Sequence, residues 1–151
     1  MTMSGCSTGL TTIPTKSFLS RVTSRFLSSA QYEYGVYVAD QYQDFWLQNI
    51  ADELEDYGAR HGMNETEIVN LAISFVQQLE YTTDEVNNGY SNYPQYPVET
   101  LKLRSGDCED TSILLSGILD RLGYGTVLLA MPDDAHMAVG VLGDSSLPGS
   151  Y

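Results

Sequence analysis

Two side chains in this sequence could do covalent chemistry together, Cys108 and His136. Cys108 lies in the run Gly106-Asp107-Cys108-Glu109-Asp110, just ahead of Ile113, Leu114, Ile118 and Leu122 at helical spacing. Asp107 is well placed as the N-cap of that helix, which puts the cysteine at its first position. Free backbone N–H groups and the positive end of the helix dipole favour a thiolate there. His136 comes 28 residues later, at the start of an apparent strand. A helix followed by two antiparallel strands can return that start to the helix tip, where an imidazole can take the thiol's proton near neutral pH. The carboxylates of Asp107, Glu109 and Asp110 oppose ionisation of the sulfur. An imidazolium about 4 Å away at an effective dielectric near 20 contributes roughly 4 kcal/mol, against roughly 0.6 kcal/mol from an exposed carboxylate at about 7 Å, so a close histidine wins.

The elements that must position this pair read as a mixed α+β pattern. Leu47, Ile50, Ala51, Leu54 and Tyr57 recur at helical spacing between Asp44 and Arg60, with Gly62 as a stop. Asn64 and Glu67 form a capping pair, and Ile68, Leu71, Ala72, Phe75 and Leu79 then make one stripe to about Glu80. Residues 81–96 hold Asn87-Asn88-Gly89, Pro94 and four tyrosines without a hydrophobic period, which predicts a long surface loop. A short helical turn follows at Pro97 to Leu103, then the cysteine helix, closed by Gly123 in a left-handed position. Strands are expected over Gly125 to Met131 and His136 to Leu142, joined by the turn Pro132-Asp133-Asp134-Ala135. Two strands alone leave an open edge. Tyr32, Tyr34, Val36 and Val38 alternate at period two, so that segment is expected to supply a further strand, failing which the edge stays exposed and invites association. Residues 1–30 read as a Ser/Thr-rich arm with a short helix near Phe18 to Leu27. Residues 31–151 form the domain, with its core in 64–142.

Composition narrows the function classes. The chain has 151 residues, 42% of them hydrophobic, and no run of apolar residues long enough to span a bilayer, so one small folded domain is expected. Twenty acids stand against seven Lys and Arg, a formal charge of -13 that repels phosphate backbones and excludes nucleic acid as a partner. Heavy acid with only two lysines, Lys16 and Lys102, suits either plain solubility or work in concentrated salt. Two cysteines allow at most one disulfide, which rules out a disulfide scaffold. Met3-Ser4-Gly5-Cys6 is similar to the end of a lipoprotein signal without its apolar stretch. The sequence leaves the compartment open: cytoplasmic, or a lipid-anchored cell surface if the start lies upstream of Cys6.

Taken together, Tyr96-Pro97-Val98-Glu99-Thr100-Leu101, Gly106-Asp107-Cys108-Glu109-Asp110, Gly123-Tyr124 and His136-Met137-Ala138-Val139-Gly140-Val141 resemble the transglutaminase-like superfamily, especially its microbial cysteine-peptidase branch. The resemblance covers roughly half of the chain, strongest over 94–142. It implies a papain-like core, a nucleophilic Cys108 and a general base His136, with no cofactor and no metal. It also implies a third residue, acidic or amide, on the strand after the histidine strand, and here the pattern departs. Asp144 is the sole acid after His136 and is the candidate orienting residue, although a turn residue beside Gly143 is the plainer reading. The tail over 145–150 looks like a loop leading to a strand that does not follow, as in a truncated chain.

The function expected is therefore acyl transfer on a peptide or protein amide: a peptidase or amidase with water as acceptor, a cross-linker with an amine. Backbone N–H groups near Cys108 would hold the oxyanion. The alternative is an inactive binding or scaffold module lacking the third triad residue. A zinc site from Cys108, Asp107 or Asp110, and His136 lacks a second Cys or His at ligand spacing. Plainer roles suit the rest. Thr111 and Ser112 should satisfy backbone groups, His61 should cap a helix, Trp46 should be core, and Glu99 should either orient the loop under the site or sit on a helix surface.

Overall fold

A computed structural model describes residues 34–83 and 93–142. It is an α+β arrangement of helices with two small sheets. In chain order it has α1 (Gly35–Val38), α2 (Asp44–His61), α3 (Glu65–Gln77), β1 (Glu80–Tyr81), α4 (Pro97–Leu103), β2 (Ser105–Gly106), α5 (Cys108–Arg121), β3 (Thr126–Met131) and β4 (His136–Val141). Single 3-10 turns precede α2, at Gln41–Gln43, and join β3 to β4, at Pro132–Asp134. Among the described residues no helix is long and apolar enough to cross a membrane.

Helix α5 is the centre. Ile113, Leu114, Ile118 and Leu119 are fully buried, each side chain contributing about 1.5–3 kcal/mol of transfer free energy. The helix touches α1, α2, α3, α4 and both long strands. Leu47, Ala51 and Leu54 of α2, with Ala72 and Val76 of α3, complete the core against it. Gly117 permits the close crossing, since a Cβ there would lie 2.9 Å from Leu47 Cδ1. Local signals set the helix ends as expected. Gly62 (φ 69°) and Gly123 (φ 89°) take left-handed conformations, and Asn64 and Glu67 make a reciprocal capping box.

Strands β3 and β4 pair antiparallel, Thr126 opposite Val141 and Met131 opposite His136. Two hydroxyls tie them to α5: Ser116 Oγ lies 2.7 Å from Thr126 Oγ1, and Ser112 Oγ donates to the Met137 carbonyl at 3.3 Å.

Three expectations are corrected. The described part of the 32–38 segment is the helical turn α1, so it gives no strand to the sheet; Tyr32 itself lies outside the described residues. Val38 is buried while Val36 is 51% exposed, and the Tyr37 ring packs 4.8 Å from that of Tyr96. Docking on α5 overrides the period-two pattern there. Trp46 is not core: it is 51% exposed and meets Phe45 edge to face. The second helix ends at Gln77 rather than Glu80, because Glu80 and Tyr81 turn out to pair in parallel with Ser105 and Gly106. Within the expected loop 81–96, residues 84–92 lie outside the described set, as does the helix expected near Phe18.

Candidate active site at the tip of helix α5

The start of α5 is a closed system of carboxylates and main-chain donors. Asp107 accepts from the N–H groups of Glu109 (3.2 Å) and Asp110 (3.4 Å). Asp110 Oδ2 accepts from the Asp107 N–H at 3.3 Å, and its Oδ1 accepts from the Gln95 N–H at 2.7 Å. Asp110 is fully buried and so clasps the loop before α4 to the cysteine helix. Gly106 has to be glycine for this, since a Cβ would lie 2.6 Å from that of Asp110. Glu99 closes the capping box at the start of α4, accepting from the Tyr96 N–H (2.8 Å) and the Tyr93 hydroxyl (3.4 Å). Negative charge on Glu99, its largest influence, raises the Tyr93 phenol.

Cys108 therefore begins the helix, partly buried. The thiol donates to Glu109 Oε2 at 3.2 Å, and the Ala135 carbonyl lies 3.9 Å from the sulfur. Burial, then the Glu109 acceptor and its charge, push this thiol up to about 11, against an opposing pull from the Met137 N–H. Asp107 adds to the rise and is itself pushed up to about 7 by burial and the charges of Asp110 and Glu109. The expected gain from the helix tip, a few tenths to one kcal/mol, is outweighed. A carboxylate in contact with the sulfur replaces the remote, solvated one assumed from sequence.

His136 opens β4 with its side chain exposed. The residues on either side of it, through the Ala135 carbonyl and the Met137 N–H, reach the Cys108 sulfur. The fold thus brings the main chain flanking His136 to the thiol. Among the described residues no hydrogen bond joins the two side chains, and the thiol's partner is Glu109. Ala135 takes a left-handed conformation (φ 46°) to make this turn, which costs about 1–2 kcal/mol in a non-glycine residue. Asp144 and Cys6 lie outside the described residues.

Two of the three amides at the helix tip are taken by Asp107, and among the described residues the Cys108 N–H makes no hydrogen bond, so it is the candidate oxyanion donor. Thr111 and Ser112 satisfy carbonyls, of Asp107 (2.7 Å) and Met137 (3.3 Å). His61 lies 2.7 Å from the Tyr57 carbonyl and stacks on that ring at 3.9 Å, at the end of α2. Donor atoms of Asp107, Cys108 and Glu109 lie within 4.8 Å of one another and could together touch a cation. Asp110 and His136, the other ligands considered from sequence, are not in that group, and the Asp107 carboxylate is engaged in capping.

Sequence reasoning missed Asp110 as a buried clasp and Glu109 as the thiol's partner. Asp at the third helical position was a visible capping signal; nothing in the sequence marked Glu109 as curling back onto the sulfur. It also missed Gln95, whose buried side-chain amide makes no hydrogen bond among the described residues. No protein-family model, no curated protein and no solved structure matches this chain.

Proposed function

We propose that this protein is a thiol-dependent acyl-transfer enzyme with a transglutaminase-like, papain-like core, acting as a peptidase or amidase on peptide or protein amides. The observation that carries the reading is the convergence, at one sulfur on a helix tip, of the main chain flanking His136. In the reaction the Cys108 sulfur attacks the amide carbonyl carbon and its proton passes to the His136 ring. The C–N bond then breaks and the same proton leaves on the amine; water, deprotonated by His136, attacks the thioester carbonyl, the C–S bond breaks to release the acid, and the imidazolium returns its proton to the Cys108 thiolate. The Cys108 N–H faces the oxyanion, and Asp144 is the candidate to orient the imidazole. Attack requires that the imidazole replace Glu109 as partner of the thiol. The net charge of -13 disfavours nucleic acid as a partner, and the open edge of β4 is a place for association with another strand.

A second reading, a binding module without turnover, has its own support: a thiol held near 11 is protonated at neutral pH. Iodoacetamide decides between them. Under the enzymatic reading Cys108 reacts far faster than Cys6 at pH 6, and His136→Ala removes the difference. Equal, slow reaction of both cysteines favours the binding module.

A further inference from the structure

Beside the cysteine lies an apolar groove of about 430 Å³ between α3, α5 and β4, with Ile73, Val76, Leu115 and Val139 among its walls. That volume suits a few side chains of a bound ligand rather than a broad protein face. Tyr81 and Gly106 line it as well. Gly106 stands two residues before Cys108, and the Tyr81 phenol, raised chiefly by burial, also feels the charges of Cys108, Asp107 and Glu109. The groove therefore adjoins the site.

One wall of the groove is formed by Ala138 and Val139 of β4. In an antiparallel ladder the N–H and C=O of one residue point the same way, and successive residues alternate. The Leu142 N–H donates to the Gly125 carbonyl at 2.8 Å, so the even-numbered residues of β4 face β3. Met137 faces away, with its N–H toward Cys108 and its carbonyl accepting from Ser112. Val139 and Val141 share that outward direction, and among the described residues no strand pairs with β4 on that side. Such an edge receives an extended chain through main-chain hydrogen bonds, with pockets for its side chains.

Charge selects the chain. Asp107 and Glu109 lie close enough to Tyr81 to act on its phenol, Glu80 adjoins Tyr81, and Asp133 and Asp134 directly precede Ala135, whose carbonyl lies 3.9 Å from the sulfur, against Arg104 and His136, in a protein of net charge -13. We propose that this groove seats the aliphatic side chain of an extended, lysine- or arginine-containing peptide that pairs with Val139 of β4 and passes across Cys108. The inference rests on the acyl-transfer reading of the site and adds its substrate class.

The test uses the full chain carrying Cys108→Ser and fluorescein-labelled hexapeptides read by fluorescence anisotropy. One peptide contains leucine, valine and two lysines; a second replaces both lysines with glutamate; a third replaces leucine and valine with serine. The first should bind about tenfold more tightly than either other, and N-methylation of its central amides should cost about tenfold. Gln77→Trp, at an exposed position on the groove, should weaken it similarly while leaving alkylation of Cys108 unchanged in the otherwise native chain. Equal binding of all three peptides, or indifference to N-methylation, overturns the inference. Cleavage by the native protein without preference among the peptides sinks the groove and spares the enzyme. Selective binding without cleavage or thioester formation sinks the enzyme and spares the groove.

Discussion

The two partners of the site belong to unequal halves of the molecule. Cys108 stands on α5, whose next turns hold Ile113, Leu114, Ile118 and Leu119 at full burial among α2 and α3. His136 stands on a sheet of two strands in which only Thr126 and Met137 are buried, and Leu142 just beyond it is 77% exposed. Cys108 stands at the end of a core helix, whereas His136 rides on a sheet tied to that core by Met137, Val139 and two hydroxyl hydrogen bonds. On the proposed acyl-transfer reading, the exchange of Glu109 for His136 beside the sulfur then falls to the sheet side, the less costly to move.

If the halves differ in this way, truncation should divide them. Leu114→Ala should cost about 3 kcal/mol by urea denaturation, and Val141→Ala less than about 1 kcal/mol. Similar losses from both would erase the contrast.

The acid system at the tip of α5 has a pH signature. Asp107 is held at about 7 against an ordinary 3.8, so the folded state binds this proton more tightly than the unfolded chain. Its contribution to stability is fully present below about 3.8 and is lost as pH rises through about 7. Asp107→Asn keeps the capping acceptor and should flatten that window, with a difference from the native protein on the order of 2 kcal/mol between pH 4 and 8. Parallel stability curves for the two proteins would show that Asp107 does not titrate abnormally.

Glu109→Gln sharpens the comparison from the cysteine side. It removes the charge in contact with the thiol, which follows burial and the Glu109 hydrogen bond among the causes of the raised value, and should speed alkylation of Cys108 at pH 8 by about tenfold. An unchanged rate would show that the Glu109 charge does not hold the thiol up. The smallest effect is expected on the sheet side: Ala135→Gly relieves a left-handed alanine and should stabilise by about 0.5–1 kcal/mol, less what the freer unfolded chain takes back. A lower Tm for this variant would mean that the turn is not strained.

Much of the helical framework was legible from residue types because its signals are local. Asn64 with Glu67, Gly62, Gly123 and Asp107 each act within a turn or two of chain, and the apolar stripes of α2, α3 and α5 face the core that their spacing implies. Tyr34, Val36 and Val38 misled because alternation over a few residues is weak against a docking surface that accepts a helical turn. Trp46 misled because helical spacing says that a face exists, not how far around the helix burial reaches.

By itself the sequence determined the acidic balance, the α+β succession, the capping of α5 by Asp107 and the place of Cys108 at its first position. Tertiary structure alone decided that Glu109 takes the thiol's hydrogen bond, that Asp110 clasps Gln95, and that β1 joins β2 beside the groove. The physical reason is range. Caps and periodicities act along a few residues of chain, but the partner of a partly buried thiol and the edge left open on a sheet depend on which segments, far apart in sequence, come to share one surface.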